Sequence, residues 1–203
     1  MHWLDPDYLP EISRTVKQFL IKTRGDIDGL IFKDGTEMHF PTHMSAQTGN
    51  FVTVGQKVEV RGIGPRTSDE VAGVSIQFGT AERIVDDGSP KYKPGKPEAK
   101  HGSKLDSQPG EASSTVQRIL RGPNGEMRAV LLETGEAIRF VKHEASRLAS
   151  LNKAGAKFAA RGDTLTTKFR TVIDADRIGS SEKTLCKIGP KGPRHESRSE
   201  HAH

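Results

Sequence analysis

The sequence predicts an all-β chain folded as two small five-stranded barrels. Each has a short helix between its third and fourth strands, and a flexible linker joins them. Three observations carry this. First, the chain repeats itself: Ser13, Thr15, Val16, Leu20, Gly25, Gly35, Phe40, His43, Gly55, Lys57, Arg61 and Gly62 all recur one hundred positions later without a gap. Second, short runs of alternating apolar and polar residues end at turn residues in both copies. Third, residues 86–112 between the copies are rich in Pro, Gly and Lys and offer nothing to bury.

Residues 1–12 form an N-terminal arm. Trp3, Leu4, Tyr8 and Leu9 stand among Asp5, Asp7 and two prolines. The arm reads as packing onto the first barrel; the alternative is an acidic-aromatic motif that docks a protein partner. The first copy spans 13–85. Thr15 to Lys22 is its first strand. In the second, Ile27, Gly29 and Ile31 alternate with Asp28, Leu30 and Phe32. Asp34-Gly35 is a hairpin signal. Met38 and Phe40 share one face of the third strand, Glu37 and His39 the other, and Pro41 ends it. Residues 42–52 suit a short helix or coil. Gln56 to Ile63 is the fourth strand, with Val58 and Val60 inward and Lys57, Glu59 and Arg61 outward. Val71 to Val85 supplies the last strand.

Residues 113–179 repeat the plan. Ala145, Leu148 and Leu151 are spaced like a helix face, and Gly155 ends it. Gly29 and Ala129 are expected on the inward face of the second strand, and Phe40 and Phe140 in the core. The tail, 180–203, reads as disordered and basic.

Composition agrees with two small domains. Of 203 residues, 33% are hydrophobic and 28% charged, lean for one large core. No run is long enough to span a membrane, and the N-terminus lacks the basic start and apolar stretch of a secretory signal. The lone Cys186 excludes a disulfide framework and points to a reducing cytoplasm. Net charge is +5; the first copy contributes +1 and the second +5, while the arm is −3, the linker neutral and the tail +2. Such an excess suits an anionic partner, and it also serves solubility.

The element order, three strands, helix, two strands, resembles that of the OB-fold nucleic-acid-binding domains. The hairpin at Asp34-Gly35, Phe40-Pro41 and the strand Val58-Glu59-Val60-Arg61-Gly62 carry the resemblance with it. It covers 13–85 and 113–179, so the whole resembles a tandem OB-fold protein. An SH3-like barrel shares most of these features; the helix position favours OB. The resemblance implies a ligand on the outer face of strands two and three, flanked by the loops after strands one and four. In the first copy that surface holds Asp28, Leu30, Phe32, Glu37 and His39, with Lys22, Arg24 and Arg66 on loops. In the second it holds Arg128, Val130, Leu132, Ala137 and Arg139, with Arg121, Lys168 and Arg170 nearby. The second surface is the more cationic, and guanidinium groups suit phosphates. Phe32 is the only outward aromatic that could stack on a base. Lys57/Lys157 and Arg61/Arg161 form a basic stripe on strand four of both copies, read as a shared surface or as packing of long stems.

His39 and His43 are four apart, but Pro41 interrupts any helix and no Cys or carboxylate completes a metal site. No phosphate-loop or nucleophile-elbow motif is present, and no cofactor is implied. The sequence therefore points to a non-enzymatic, cytoplasmic protein that contacts DNA or RNA, single-stranded for preference, through the basic second domain. The alternative is an adaptor whose barrels and N-terminal arm bind proteins.

Overall fold

The computed structural model describes residues 5–64, 70–80, 82–88, 107–121, 127–140 and 153–188. In the first copy, β1 (Glu11–Ile21), β2 (Ile27–Phe32), β3 (Glu37–His39), β4 (Lys57–Ile63) and β5 (Glu70–Phe78) close a barrel. The strand order is β3-β2-β1-β4-β5, and a parallel β3–β5 pairing completes the ring. β1 is long enough to serve two neighbours. Its first half, Glu11 to Thr15, pairs with β4, and its second half, Val16 to Ile21, pairs with β2. The second copy repeats this with β7 (Gln108–Arg121), β8 (Met127–Leu132), β9 (Ala137–Arg139), β10 (Lys157–Thr166) and β11 (Thr171–Gly179), closed by β9–β11 and β10–β11. The chain is thus two OB-like barrels in tandem. A sixth strand extends each: β6 (Glu82–Val85) on β5, and β12 (Cys186–Lys187) on β11.

Local chemistry sets these elements. The β2–β3 turn works because Gly35 takes φ +95°, while Asp34 Oδ1 accepts the Thr36 N–H at 3.1 Å. After Pro41 a 3-10 turn (Thr42–Met44) runs into α1 (Ser45–Phe51). Ser45 Oγ accepts the Ile27 N–H at 2.8 Å and ties the helix to β2. The helix expected after the third strand of the second copy falls in 141–152, outside the described residues, as do linker residues 89–106 and tail residues 189–203. Among the described residues, no helix is long and apolar enough to cross a membrane.

Four boundaries differ from the sequence reading. β1 begins at Glu11, within the stretch assigned to the arm. Val71 to Val85 is two strands, not one, because Gly79 turns the chain at φ +72°. β7 begins at Gln108, inside the stretch assigned to the linker, because β10 runs on to Thr166 and pairs Thr164 with Gln108. The tail continues in order to Ile188, whose buried side chain joins the second core and holds β12 in place. In the arm, Pro6–Tyr8 forms a 3-10 turn fixed by Arg61, which donates to Pro6 O and Asp7 O, and by an Arg83–Asp7 ion pair at 2.6 Å. Residues 5–10 therefore lie on the first barrel, with Tyr8 88% exposed.

Phe40 and Phe140 are core, as expected. The faces of β2 are not. Asp28 is the extra residue of a β-bulge in β2, facing the step from Leu20 to Ile21, and it shifts the alternation by one residue. Ile27, Leu30 and Phe32 all point into the first core, and Ile31 points out. Phe32 is 0% exposed, so it offers no ring to a base.

Candidate nucleic-acid interface

The outer face of the β1–β2 sheet does not meet solvent. It meets the other barrel. Leu20 and Ile31 from the first copy pack against Leu120, Ala129 and Leu131 from the second in one buried cluster. The same positions of the two repeats contribute, as an approximate two-fold relation would require. Each fully buried leucine or isoleucine adds roughly 1.5–3 kcal/mol to such a seam. Ala129 thus lies on the outer face of its strand, not the inward one. Its mate Gly29 has no room for more: a Cβ there would sit 2.3 Å from the Met38 carbonyl oxygen.

Two arginines of the second barrel frame this seam. Arg139 donates from Nε to Ile21 O at 2.7 Å, and from Nη2 to Asp28 Oδ1 and Oδ2 at 3.1 and 3.3 Å. The two side chains are only 17% and 6% exposed. Arg118 donates from Nε to Glu37 Oε1 at 2.7 Å and from Nη2 to Gly35 O at 2.5 Å. Asp28 and Glu37, expected on a ligand surface, are buried beneath these guanidinium groups. Arg139 is therefore a bond between barrels and not a phosphate contact on an open face. Charge-assisted pairs of this geometry are among the stronger hydrogen bonds, and they fix orientation.

A loop of the second barrel completes the join. Between β10 and β11, Thr167 Oγ1 accepts the N–H groups of Phe169 and Arg170 at 3.2 and 3.1 Å and shapes a tight turn. Phe169 projects from it onto Phe19, ring centroids 4.5 Å apart. Lys168 Nζ reaches Gly49 O of α1 at 3.2 Å and lies 4.8 Å above the Phe169 ring. A Cβ on Gly49 would stand 3.1 Å from Ile27 and 3.3 Å from Phe169, so the hook sits against both α1 and the start of β2. The turn Lys22–Asp26, closed by Lys22 N–H to Asp26 O at 2.8 Å, links Ile21, whose carbonyl accepts from Arg139, to Ile27, which stands by Gly49 as Phe169 does. Arg170 is mostly enclosed, and its Nη1 is buried without a partner. Burial, and then the positive charge of Arg139, push its pKa down to about 10, with Glu136 opposing.

The remaining expected cations are dispersed. Arg61 pairs with Glu11 across β1 and β4 as well as holding the arm. Arg161 pairs with Glu111 at the equivalent register position, Nη2 to Oε2 at 2.6 Å, and that carboxylate raises its pKa. The recurring stripe is therefore largely a recurring cross-strand ion pair. Comparing the repeats two residues further toward the N-terminus, to Glu11 and Glu111, would have disclosed it. Lys157 Nζ donates to Thr115 Oγ1 at 3.2 Å. Lys57 and Arg121 are exposed and Arg128 is half-buried. His43 Nε2 lies 3.0 Å from Asp86 Oδ1, and His39 Nε2 lies 3.7 Å from Glu37. Among the described residues, no group of three or more His, Cys, Asp or Glu could hold a metal.

No family model matches the chain, and no curated protein does. Solved structures give distant likenesses. One is the wild-type single-stranded DNA binding protein from Thermus aquaticus, with a TM-score of 0.27 and 12% identity over 90% of this chain and 97% of that one. A deletion mutant of the same protein gives a TM-score of 0.25 and 12% identity over 92% and 96%. The OB-like assignment rests on the strand pairings themselves.

Proposed function

We propose that the protein binds nucleic acid, single-stranded DNA or RNA, without catalysis and in the cytoplasm. Contact runs along the basic rim where the Lys22–Asp26 turn of the first barrel meets the Thr167–Arg170 hook of the second. The observation that carries this reading is the packing of the hook against Gly49, beside Ile27, the residue that follows that turn. In OB-folds the loops after strands one and four flank the ligand, and here one comes from each barrel. The rim comprises Lys22, Arg24, Lys168 and Arg170, with Asp26 and Glu136 as its acidic members. The hairpin faces are closed, so the strand is held mainly by its phosphates, and affinity should be steeply salt-dependent.

Fluorescence anisotropy of labelled oligonucleotides with the intact protein, across a salt series, tests this. Lys22→Ala with Arg24→Ala should weaken binding at all sequences alike and lower the salt slope by about 1.4, two single-strand phosphate contacts at about 0.7 each. Lys57→Ala with Lys157→Ala should change little. Equal effects from the two pairs, or no binding at low salt, would refute the rim. Tyr8, exposed on an arm pinned by Arg61 and Arg83, favours a second reading, an adaptor that docks a protein. Oligonucleotide affinity that falls on Tyr8→Ala would count against that separation of roles.

A further inference from the structure

Among the described arginines at the seam, Arg170 has a buried donor that the fold leaves without an acceptor. By contrast, Arg118 is matched by Glu37 and a carbonyl, and Arg139 by Asp28 and a carbonyl. Arg170 instead has Nη1 enclosed and, among the described residues, without a hydrogen-bond partner, while the charge of Arg139 opposes its own and Glu136 offsets that only in part. A buried guanidinium donor without an acceptor is costly, and a second cation beside it adds to the cost. Nothing obliges the loop to carry an arginine there, since its turn is made by Thr167 and its anchoring by Phe169 and Lys168. What the Arg170 guanidinium lacks is an oxyanion, and a guanidinium fork matches phosphate oxygens in pairs.

We infer that Arg170, with Lys168 two residues before it on the same hook, forms a phosphate clasp at the junction of the two barrels. Its ligand class is the phosphodiester group of a nucleic-acid strand, and to that extent it rests on the proposed function above. The clasp is built rather than incidental: the hook that carries Arg170 is the same hook that locks the barrels together through Phe169. A phosphate seated there would offset the unmatched charge of the hook that joins the two halves, so its binding would tighten the join.

Two measurements on the intact protein test the clasp apart from nucleic-acid binding. In the first, thermal unfolding is followed in pyrophosphate and in sodium chloride of equal ionic strength. Wild type should melt higher in pyrophosphate, Arg170→Gln should show no difference, and Arg170→Lys should keep part of it. In the second, oligonucleotide anisotropy should show the salt slope of Arg170→Gln reduced by about 0.7, one single-strand phosphate contact. Without a ligand, Arg170→Gln should melt no lower than wild type, because it removes an unmatched charge; a lower melting point would mean that Arg170 is structural and overturn the clasp. Equal pyrophosphate shifts in wild type and Arg170→Gln, or no shift in either, would also overturn it. A selective pyrophosphate shift with no oligonucleotide binding would keep the clasp, assign it to free phosphates and refute the proposed function. Oligonucleotide binding that is indifferent to Arg170, with no pyrophosphate shift, would leave the function standing and refute the clasp.

Discussion

Replacing Asp28 by Asn removes the charge from the most enclosed ion pair of the seam. Arg139 Nη2 lies 3.1 and 3.3 Å from the two carboxylate oxygens. At about 3 Å and an effective dielectric near 20, opposite unit charges attract by about 5 kcal/mol. Desolvation cancels much of that in the intact pair, yet leaving one partner behind unmatched typically costs about 3–5 kcal/mol. Arg139 would retain the Ile21 carbonyl and some water, its side chain being 17% exposed, so the low end applies. Asp28→Asn should therefore lose about 3 kcal/mol, and Arg139→Met a similar amount. With both changed no charge is stranded, and the double variant should be less destabilised than the sum of the two by about 2 kcal/mol. Urea unfolding followed by far-ultraviolet circular dichroism on the full chain measures all four corners of the cycle. A coupling below about 0.5 kcal/mol would mean that the barrels are not joined in this way in solution.

Two further outcomes follow from the same geometry. Phe169→Ala should cost about 2–3 kcal/mol, less than a fully buried phenylalanine because the ring is partly exposed, and should raise hydrogen exchange at the amides of β1 that flank Phe19; unchanged exchange would show that the hook does not hold the barrels. Burial, then the Asp163 carboxylate across from it, raise the Asp174 carboxyl above its usual range, with Arg139 only partly opposing. The folded state thus holds this proton more tightly than the unfolded chain, so the contribution is fully present below the unfolded value of 3.8 and is lost as pH rises through the raised one. Asp174→Asn should stabilise at about pH 7 by roughly 0.2–1 kcal/mol, toward the lower figure because solvent screens the pair, and by nothing below about pH 3.5. A gain equal at both pH values would assign the effect to something other than charge.

Much of this architecture was legible in the residues. The repeat disclosed two copies of one barrel, because turn glycines such as Gly35 and core residues such as Phe40 are set by local backbone demands and by one core each. The faces of β2 were not legible. Strict alternation assigns Phe32 outward, but one bulged residue, Asp28, reverses the alternation, and a bulge leaves no fixed mark in a single sequence. The candidate site was misplaced for a related reason. Asp28, Glu37 and Arg139 do face out of their own barrels. Period-two patterning reports which side of a strand a residue occupies and is silent on what covers that side. A row of Leu20, Ile31, Leu120 and Leu131 outside the barrel cores was the available clue to a covered face.

The seam also explains why the two copies differ where they do. Suppose two faces like that of the second barrel met in the observed geometry. Arg139 would then point at Arg128, the counterpart of Asp28, instead of at a carboxylate. Arg118 would meet Ala137, the counterpart of Glu37, and leave a charge unmatched. That pairing places like charges together twice by symmetry, and like charges at a desolvated contact cost several kcal/mol. The first barrel supplies the two carboxylates that the second lacks, so the mixed pair alone satisfies both arginines. The apolar positions Leu20/Leu120 and Ile31/Leu131 are interchangeable and provide attraction without preference. Discrimination thus comes from Asp28 against Arg128 and Glu37 against Ala137, through both a gained attraction and a built-in repulsion. The divergence between the repeats is the means by which one barrel recognises the other, and it leaves contact with a further partner to the loops at the rim.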